Sequence, residues 1–183
     1  MASRRVAYAV RGDAGRANAA RRALLADLVS RAPSHVDVRL NTSSHTDEFI
    51  AMRLGLVPFV ASDDDASPVV VRVTGRPVLG RDLRGALHPD APVLPLGDGQ
   101  AVDATLHFAI GTGHDHARFG RAVAVGMRPV GEDEEPTLHS ISFETLQGGD
   151  DHAACWTEAL DALDARLRRA RAHLLSSDVA VAS

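Results

Sequence analysis

The chain has 183 residues, 45% of them hydrophobic, and a formal charge of −4, enough for one substantial core or two small lobes. The acidic balance excludes a domain that holds polyanions by bulk charge, so no direct sequence-specific nucleic-acid contact is expected. Every basic side chain is arginine, which excludes Schiff-base and P-loop lysine chemistry. The single cysteine, Cys155, excludes an intramolecular disulfide and a cysteine-rich metal centre, and points to a reducing, intracellular compartment.

The alternation in "RVAYAV" (5–10) predicts a strand that "RGDAG" breaks. Helix formers fill "RANAARRALLADLVSRA" (16–32), with Ala20, Leu24 and Leu28 at steps of four, and Pro33 is expected to end that helix. "HVDVRL" (35–40) alternates again. Thr46 can cap a following helix whose first turn holds Asp47 and Glu48, and Gly55 and Pro58 stop it. "ASDDDASP" (61–68) reads as a loop, and "VVVRV" (69–73) and "DATLHFAI" (103–110) as strands, with turns and short elements between them. "RAVAVGM" (121–127) is a further strand, "GEDEEP" (131–136) a charged linker, and "LHSISFET" (138–145) a strand that leaves through "LQGGDD".

The last segment carries the clearest pattern. Trp156, Leu160, Leu163, Leu167, Ala170 and Leu174 follow one another at steps of 4, 3, 4, 3 and 4, a narrow seam of the kind that meets another helix. Asp161, Asp164, Arg166, Arg168, Arg169 and Arg171 occupy the other faces as a solvated surface, and Cys155 reads as a packed thiol. The tail "SSDVAVAS" is expected to fray. No apolar run reaches the roughly 20 residues of a membrane span, and the start lacks the apolar core of a signal peptide.

Two clusters could carry chemistry. "HTDE" offers His45, Asp47 and Glu48, but adjacent helical residues point about 100° apart, so the two carboxylates do not converge unaided. In "GTGHDHARFG", His114 and His116 could ligate a metal from a strand. A zinc site needs three or four ligands, and the other histidines, His35, His88 and His107, are scattered. The glycines of that string lie late in the chain between strands, not after the first strand as a dinucleotide fingerprint requires.

Taken in order, these blocks resemble the RNA polymerase assembly subunits: the archaeal D-type subunit, the third-largest subunit of the eukaryotic nuclear polymerases, and the bacterial alpha N-terminal domain. The string "DEFIAMRLGLVP", introduced by Asn41, fits the family's D-E-F-I-A-x-R-L-G-L pattern before proline. Gly99 and Gln100, then Gly111, Gly113, His116, Ala117, Arg118 and Phe119, fit a second block, "ANAARRALLADL" resembles the first helix, and "ISFETLQG" with the long helix resembles the close of the fold. The resemblance runs from about residue 5 to 175. The sequence departs from it at Phe119, where tryptophan is usual, and at Arg121, where proline is frequent. It also lacks the cysteine cluster of many members. A reduced, divergent member is the reading, and a large DNA virus is one source consistent with it.

The resemblance implies an α+β fold. A sheet with two packed helices would form a discontinuous dimerisation domain over 1–41 and 131–183, interrupted by a short β-rich domain over 42–130. It implies no catalytic residue, metal or cofactor in this chain. The expected function is that of a non-catalytic platform in a DNA-directed RNA polymerase. Ala20, Leu24, Leu28, Trp156, Leu160, Leu163, Leu167 and Leu174 would face a smaller paralogous subunit. Asp47, Glu48, Arg53, His116, Arg118 and Phe119 would face the second-largest subunit, with Phe49, Ile50 and Leu54 anchoring their helix to its own domain. Small adaptor subunits are further partners compatible with the family, and no membrane is expected. The alternatives are a metal-dependent hydrolase using His114 and His116, and a dimerisation module outside transcription.

Overall fold

The structure is a computed structural model and describes residues 5–59, 67–131, 137–146 and 152–181. Most of the expected loop "ASDDDASP", nearly all of "GEDEEP" and "LQGGDD", and the side chains of the tail lie outside the described residues. In chain order the elements are β1 (Val6–Arg11), α1 (Ala14–Ala26), β2 (Val29–Asn41), α2 (Asp47–Gly55), β3 (Val69–Thr74), β4 (Val78–Leu79) and β5 (Pro92–Leu94). Then follow β6 (Ala101–Thr112), β7 (Ala122–Pro129), β8 (Leu138–Thr145) and α3 (His152–Val181). Short 3₁₀ turns cover Gly80–Asp82 and Ala117–Phe119. The class is α+β, with antiparallel sheets throughout.

The chain divides into two compact units, with boundaries after Leu28 and after Gly120. The first unit holds a sheet of order β1-β8-β7 together with α1 and α3. Central β8 alternates strictly, so His139, Ile141, Phe143 and Thr145 all point inward. Phe143 is fully buried, its ring 5.9 Å from Tyr8, and Tyr8 stacks on Trp156 at 4.9 Å. Ala20, Ala23, Leu24 and Leu28 come from the α1 side, and Cys155 and Ala159 from α3. The two small residues on α3 let that helix approach the core closely. Asp13 caps α1 by accepting from the Arg16 amide at 2.8 Å, and Arg166 pairs with Asp27 beyond the end of α1 at 3.0 Å. In β7 the register shifts between Val123 and Gly126, and Ala124 takes a φ of 51° there, where the extra residue kinks the strand.

The second unit holds the sheet β2-β6-β3 and the small ladder β4-β5. β6 lies in the middle, so its two faces decide the unit. Val102, Ala104 and Leu106 point inward and meet Val71, Val73, Ile50 and Leu54, while Asp103, Thr105 and His107 point outward. On the outer face Asp103 takes Arg39 of β2 at 2.7 Å and Arg72 of β3 at 2.8 Å, tying three strands through one carboxylate. Asp37 accepts from His35 at 2.7 Å and His107 at 2.9 Å, and these bonds, His35's first, hold its carboxyl below the ordinary carboxylate range.

Two expectations differ from this architecture. The first helix does not run to residue 32. It ends at Ala26, with Asp27 as its cap, and β2 begins at Val29. Pro33 does not terminate a helix. It sits inside β2 beside a register shift, buried and opposite Phe108. A proline pushes the residue before it toward extended backbone, and pairing with β6 from Thr112 to Ala109 outweighs the helix formers of this stretch. The units also divide differently from 1–41 plus 131–183 and 42–130. "HVDVRL" pairs with β6 in the second unit, and "RAVAVGM" pairs with β8 in the first. β4 and β5 are short elements in the turn-rich stretch where such elements were expected.

Two outcomes follow from the packing. Phe143→Ala should destabilise the protein by about 3–5 kcal/mol, measured by chemical denaturation. Asp82 accepts from Arg76 at 2.7 Å and from the Leu79 amide at 2.9 Å, and the Arg76 guanidinium holds its carboxyl below the ordinary value. That stabilisation is present above the ordinary carboxylate pKa, roughly 3.9, and is lost as pH falls through the lower folded value. Asp82→Asn should therefore lower the denaturation midpoint at pH 7 and leave a shallower loss between pH 4 and pH 2.

Candidate functional site

The segment from Asn41 to Leu56 folds around one asparagine. Asn41 Nδ2 donates to the His45 carbonyl and to Asp47 Oδ1, each at 2.8 Å, while its Oδ1 accepts from the Ser43 amide at 2.9 Å and the Ser43 hydroxyl at 2.7 Å. Thr42 fastens the same turn to the start of β6, its hydroxyl accepting from the Ala101 amide at 2.7 Å. Thr46 caps α2, accepting from the Phe49 amide at 3.3 Å, and Asp47 and Glu48 occupy the first turn. His45 stacks on Phe49 at 4.8 Å. The group that could have been an acid–base pair is thus a helix start. Asp47 is bound to Asn41, and His45 faces an aromatic ring.

The candidate docking residues are placed unevenly. Asp47 and Glu48 are exposed. Arg53 turns back on its own unit, Nε donating to the Val93 carbonyl at 2.9 Å and Nη2 to Pro92 at 3.3 Å. Ile50 and Leu54 are fully buried, as anchors should be, but Phe49 is 37% exposed and does not join them.

The second block closes the end of β6. Asp115 Oδ2 accepts from the Thr112 amide at 2.8 Å and its hydroxyl at 3.0 Å, which turns the chain. His116 Nδ1 accepts from Arg118 N at 3.1 Å and Nε at 3.2 Å. Arg118 Nη1 donates to the Pro33 carbonyl at 2.7 Å and lies beside Gly55. Phe119 is 7% exposed, its ring against Gly111. The two blocks therefore meet inside one unit, with the Arg118 side chain between Pro33 and Gly55. Phe119 is a packing residue, a correction to its expected place on a docking face: a chain that must reverse at the end of β6 covers that end with its own ring. The "HDH" string likewise turns the chain, since Asp115 and His116 bond to their own loop. Among the described residues no group of three or more His, Cys, Asp or Glu is placed to hold a metal ion.

The residues expected to face a smaller subunit also separate. Ala20, Leu24 and Leu28 are 3%, 0% and 2% exposed, covered by their own core. Trp156 stacks on Tyr8, and Leu163 packs against the same cluster. Both stay half-buried, while Leu160, Leu167 and Leu174 are exposed, and Leu175, which the spacing did not select, joins them.

Gly111 exposes the logic of the second block. A Cβ there would meet the Phe119 ring at 2.8–2.9 Å, and no flexible tip can move aside. Gly111→Ala should cost about 1–3 kcal/mol in a denaturation experiment.

No protein-family profile matches the chain. Individual relatives do. It is 31% identical over 144 residues to the DNA-directed RNA polymerase subunit Rpo3 of Natronomonas pharaonis, covering 67% of this chain and 58% of that protein. It is 28% identical over 166 residues to the human DNA-directed RNA polymerases I and III subunit RPAC1, covering 63% and 48%. A 54-residue stretch is 43% identical to the DNA-directed RNA polymerase II subunit RPB3 of Schizosaccharomyces pombe, 30% of this chain and 18% of that one. The chain spans about half the length of the first two relatives. With the α+β fold and the two motif blocks joined in one unit, these similarities identify it: the chain belongs to the RNA polymerase subunit family of Rpo3, RPAC1 and RPB3.

Proposed function

We propose that the chain is a non-catalytic assembly subunit of a multisubunit DNA-directed RNA polymerase, acting inside the cell. The carrying observation is the 31% identity to an Rpo3 subunit over 144 residues. The geometry supports it. Arg53, Arg118 and Gly111 of the motif blocks are engaged in turning and packing the chain, and the acid–base candidates do not converge. Nucleotidyl transfer would then belong to the largest subunits. No described helix is long and apolar enough to cross a membrane.

In this reading the first unit serves as the dimerisation domain and pairs with a smaller paralogous subunit through α3. Support comes from the exposure of Leu160, Leu167 and Leu174, at 38%, 58% and 65%, along one stripe. Exposed apolar area of this kind costs about 25 cal/mol per Å² relative to burial, so a partner that covers it gains affinity. α2 and its surroundings face the second-largest subunit. Arg118 acts through the loop it braces, and of the remaining docking residues Asp47 and Glu48 offer free surface.

Affinity capture of the tagged chain with mass spectrometry tests the whole reading. Large polymerase subunits should copurify, and a clean preparation without them would overturn it. Leu167→Asp tests the α3 face. Because Leu167 is exposed, the substitution should change stability by no more than about 0.5 kcal/mol. It should reduce coelution with the small subunit at least tenfold on size exclusion, with circular dichroism unchanged.

A further inference from the structure

We propose that Asp98 is a site of spontaneous backbone modification: its carboxyl condenses with the Gly99 amide to a succinimide, and hydrolysis of that ring leaves isoaspartate in the turn that leads into β6. The chemistry is independent of any partner of the chain.

Gly97, Asp98, Gly99 and Gln100 form a four-residue turn, closed by the Gln100 amide donating to the Gly97 carbonyl at 3.1 Å. Gly99 has a φ of 74° and Asp98 a negative one, the pattern of a type II turn with glycine at its third position. Gln100 fixes the outside of the turn. Its Oε1 accepts from the Gly97 amide at 2.8 Å, and its carbonyl accepts from the Gly75 amide at 2.8 Å. The peptide between Asp98 and Gly99 has no such role. Both residues are exposed, and among the described residues neither the Asp98 carboxylate nor the Gly99 amide has a hydrogen-bond partner.

Ring closure requires that peptide to rotate until the Gly99 nitrogen faces Asp98 Cγ. Turns of types I and II differ by this rotation and share the closing bond, so the turn survives it. Glycine accepts either sign of φ, and a Cβ at Gly99 would meet nothing within 4 Å, so no neighbour blocks the movement. Any other residue after the aspartate would crowd the attacking nitrogen with its own Cβ. This is the only Asp–Gly pair in the sequence, which has no Asn–Gly pair. In the first step an N–C bond forms between Gly99 and Asp98 Cγ. The Cγ–O bond breaks, and the carboxyl oxygen leaves as water with its own proton and the amide proton. Water then adds to one of the two ring carbonyls and breaks its bond to nitrogen. Opening at Cγ restores aspartate, and opening at the main-chain carbonyl leaves Gly99 joined through Cγ. The isoaspartate has the mass of the parent and a main chain one carbon longer. A lengthened turn loses the Gly97–Gln100 closure, and the start of β6, where Thr42 holds the Ala101 amide, loosens with it.

The test holds the full chain in solution below its melting transition and samples it over time. Isoaspartyl methyltransferase with tritiated S-adenosylmethionine reads the product, and fragmentation by electron transfer maps it. Methyl acceptance should rise at least tenfold above that of Asp98→Glu, which would need a less favoured six-membered ring, and should map to residue 98. In water enriched in oxygen-18 the product should carry the heavy isotope, as ring hydrolysis demands. Asp98→Asn should deamidate faster than the parent isomerises, since ammonia leaves more readily than water. In the aged fraction, amide exchange at Gln100 and Gly75 should accelerate at least tenfold. Methyl acceptance equal to that of Asp98→Glu, or an Asp98→Asn chain that keeps its amide, would show that the folded turn forbids ring closure and would overturn the proposal. Isoaspartate at residue 98 with unchanged exchange would refute the loosening of β6.

Discussion

The second unit depends on β6 having two neighbours and two unlike faces. A strand paired on both sides cannot slide without breaking two ladders. Here a slip of one residue would also drive Asp103 and His107 into the core and expose Leu106. That constraint fixes β2, whose Val36 and Val38 must face the same core, and then α2, whose Ile50 and Leu54 land on that face. It also fixes where the chain leaves β6, because Phe119 folds back on Gly111 at the strand's end. The outward face is held separately by the Arg39–Asp103–Arg72 bridge and the His35–Asp37–His107 group.

The motif residues acquire a different meaning in this frame. Residue types that resemble a catalytic set are partners of backbone groups. Asn41 satisfies a turn, Asp115 a reversal, and Arg53 and Arg118 carbonyls that the strands leave over. Each of these pairs a backbone polar group that the ladders leave over.

The first unit shows the limit of periodicity. The 4-3-4-3-4 seam of α3 is real as a pattern, yet the helix meets its own sheet along Cys155 and Ala159, which lie beside the seam. Small residues define the close-approach face, and large ones stay at its edge or beyond. Trp156 and Leu163 are shared with the core, while Leu167 and Leu174 stay outside because the described body of the unit ends before them.

Much was legible in the sequence. The DEFIA-type string, the glycine pairs, the alternation of β6 and β8 and the helical period of α3 fixed the class, the family and the helix cap at Thr46, because each is a local regularity of side-chain chemistry. The division of the chain was not legible. Helix formers from Asp27 to Ala32 were overruled by a strand roughly 80 residues away, and "HVDVRL" and "RAVAVGM" each joined the other unit, since pairing partners are not encoded locally. The exposure of Phe49 and the burial of Phe119 were likewise decided by tertiary structure. Whether an apolar side chain is core or contact depends on which other elements reach it, and only the packed chain settles that.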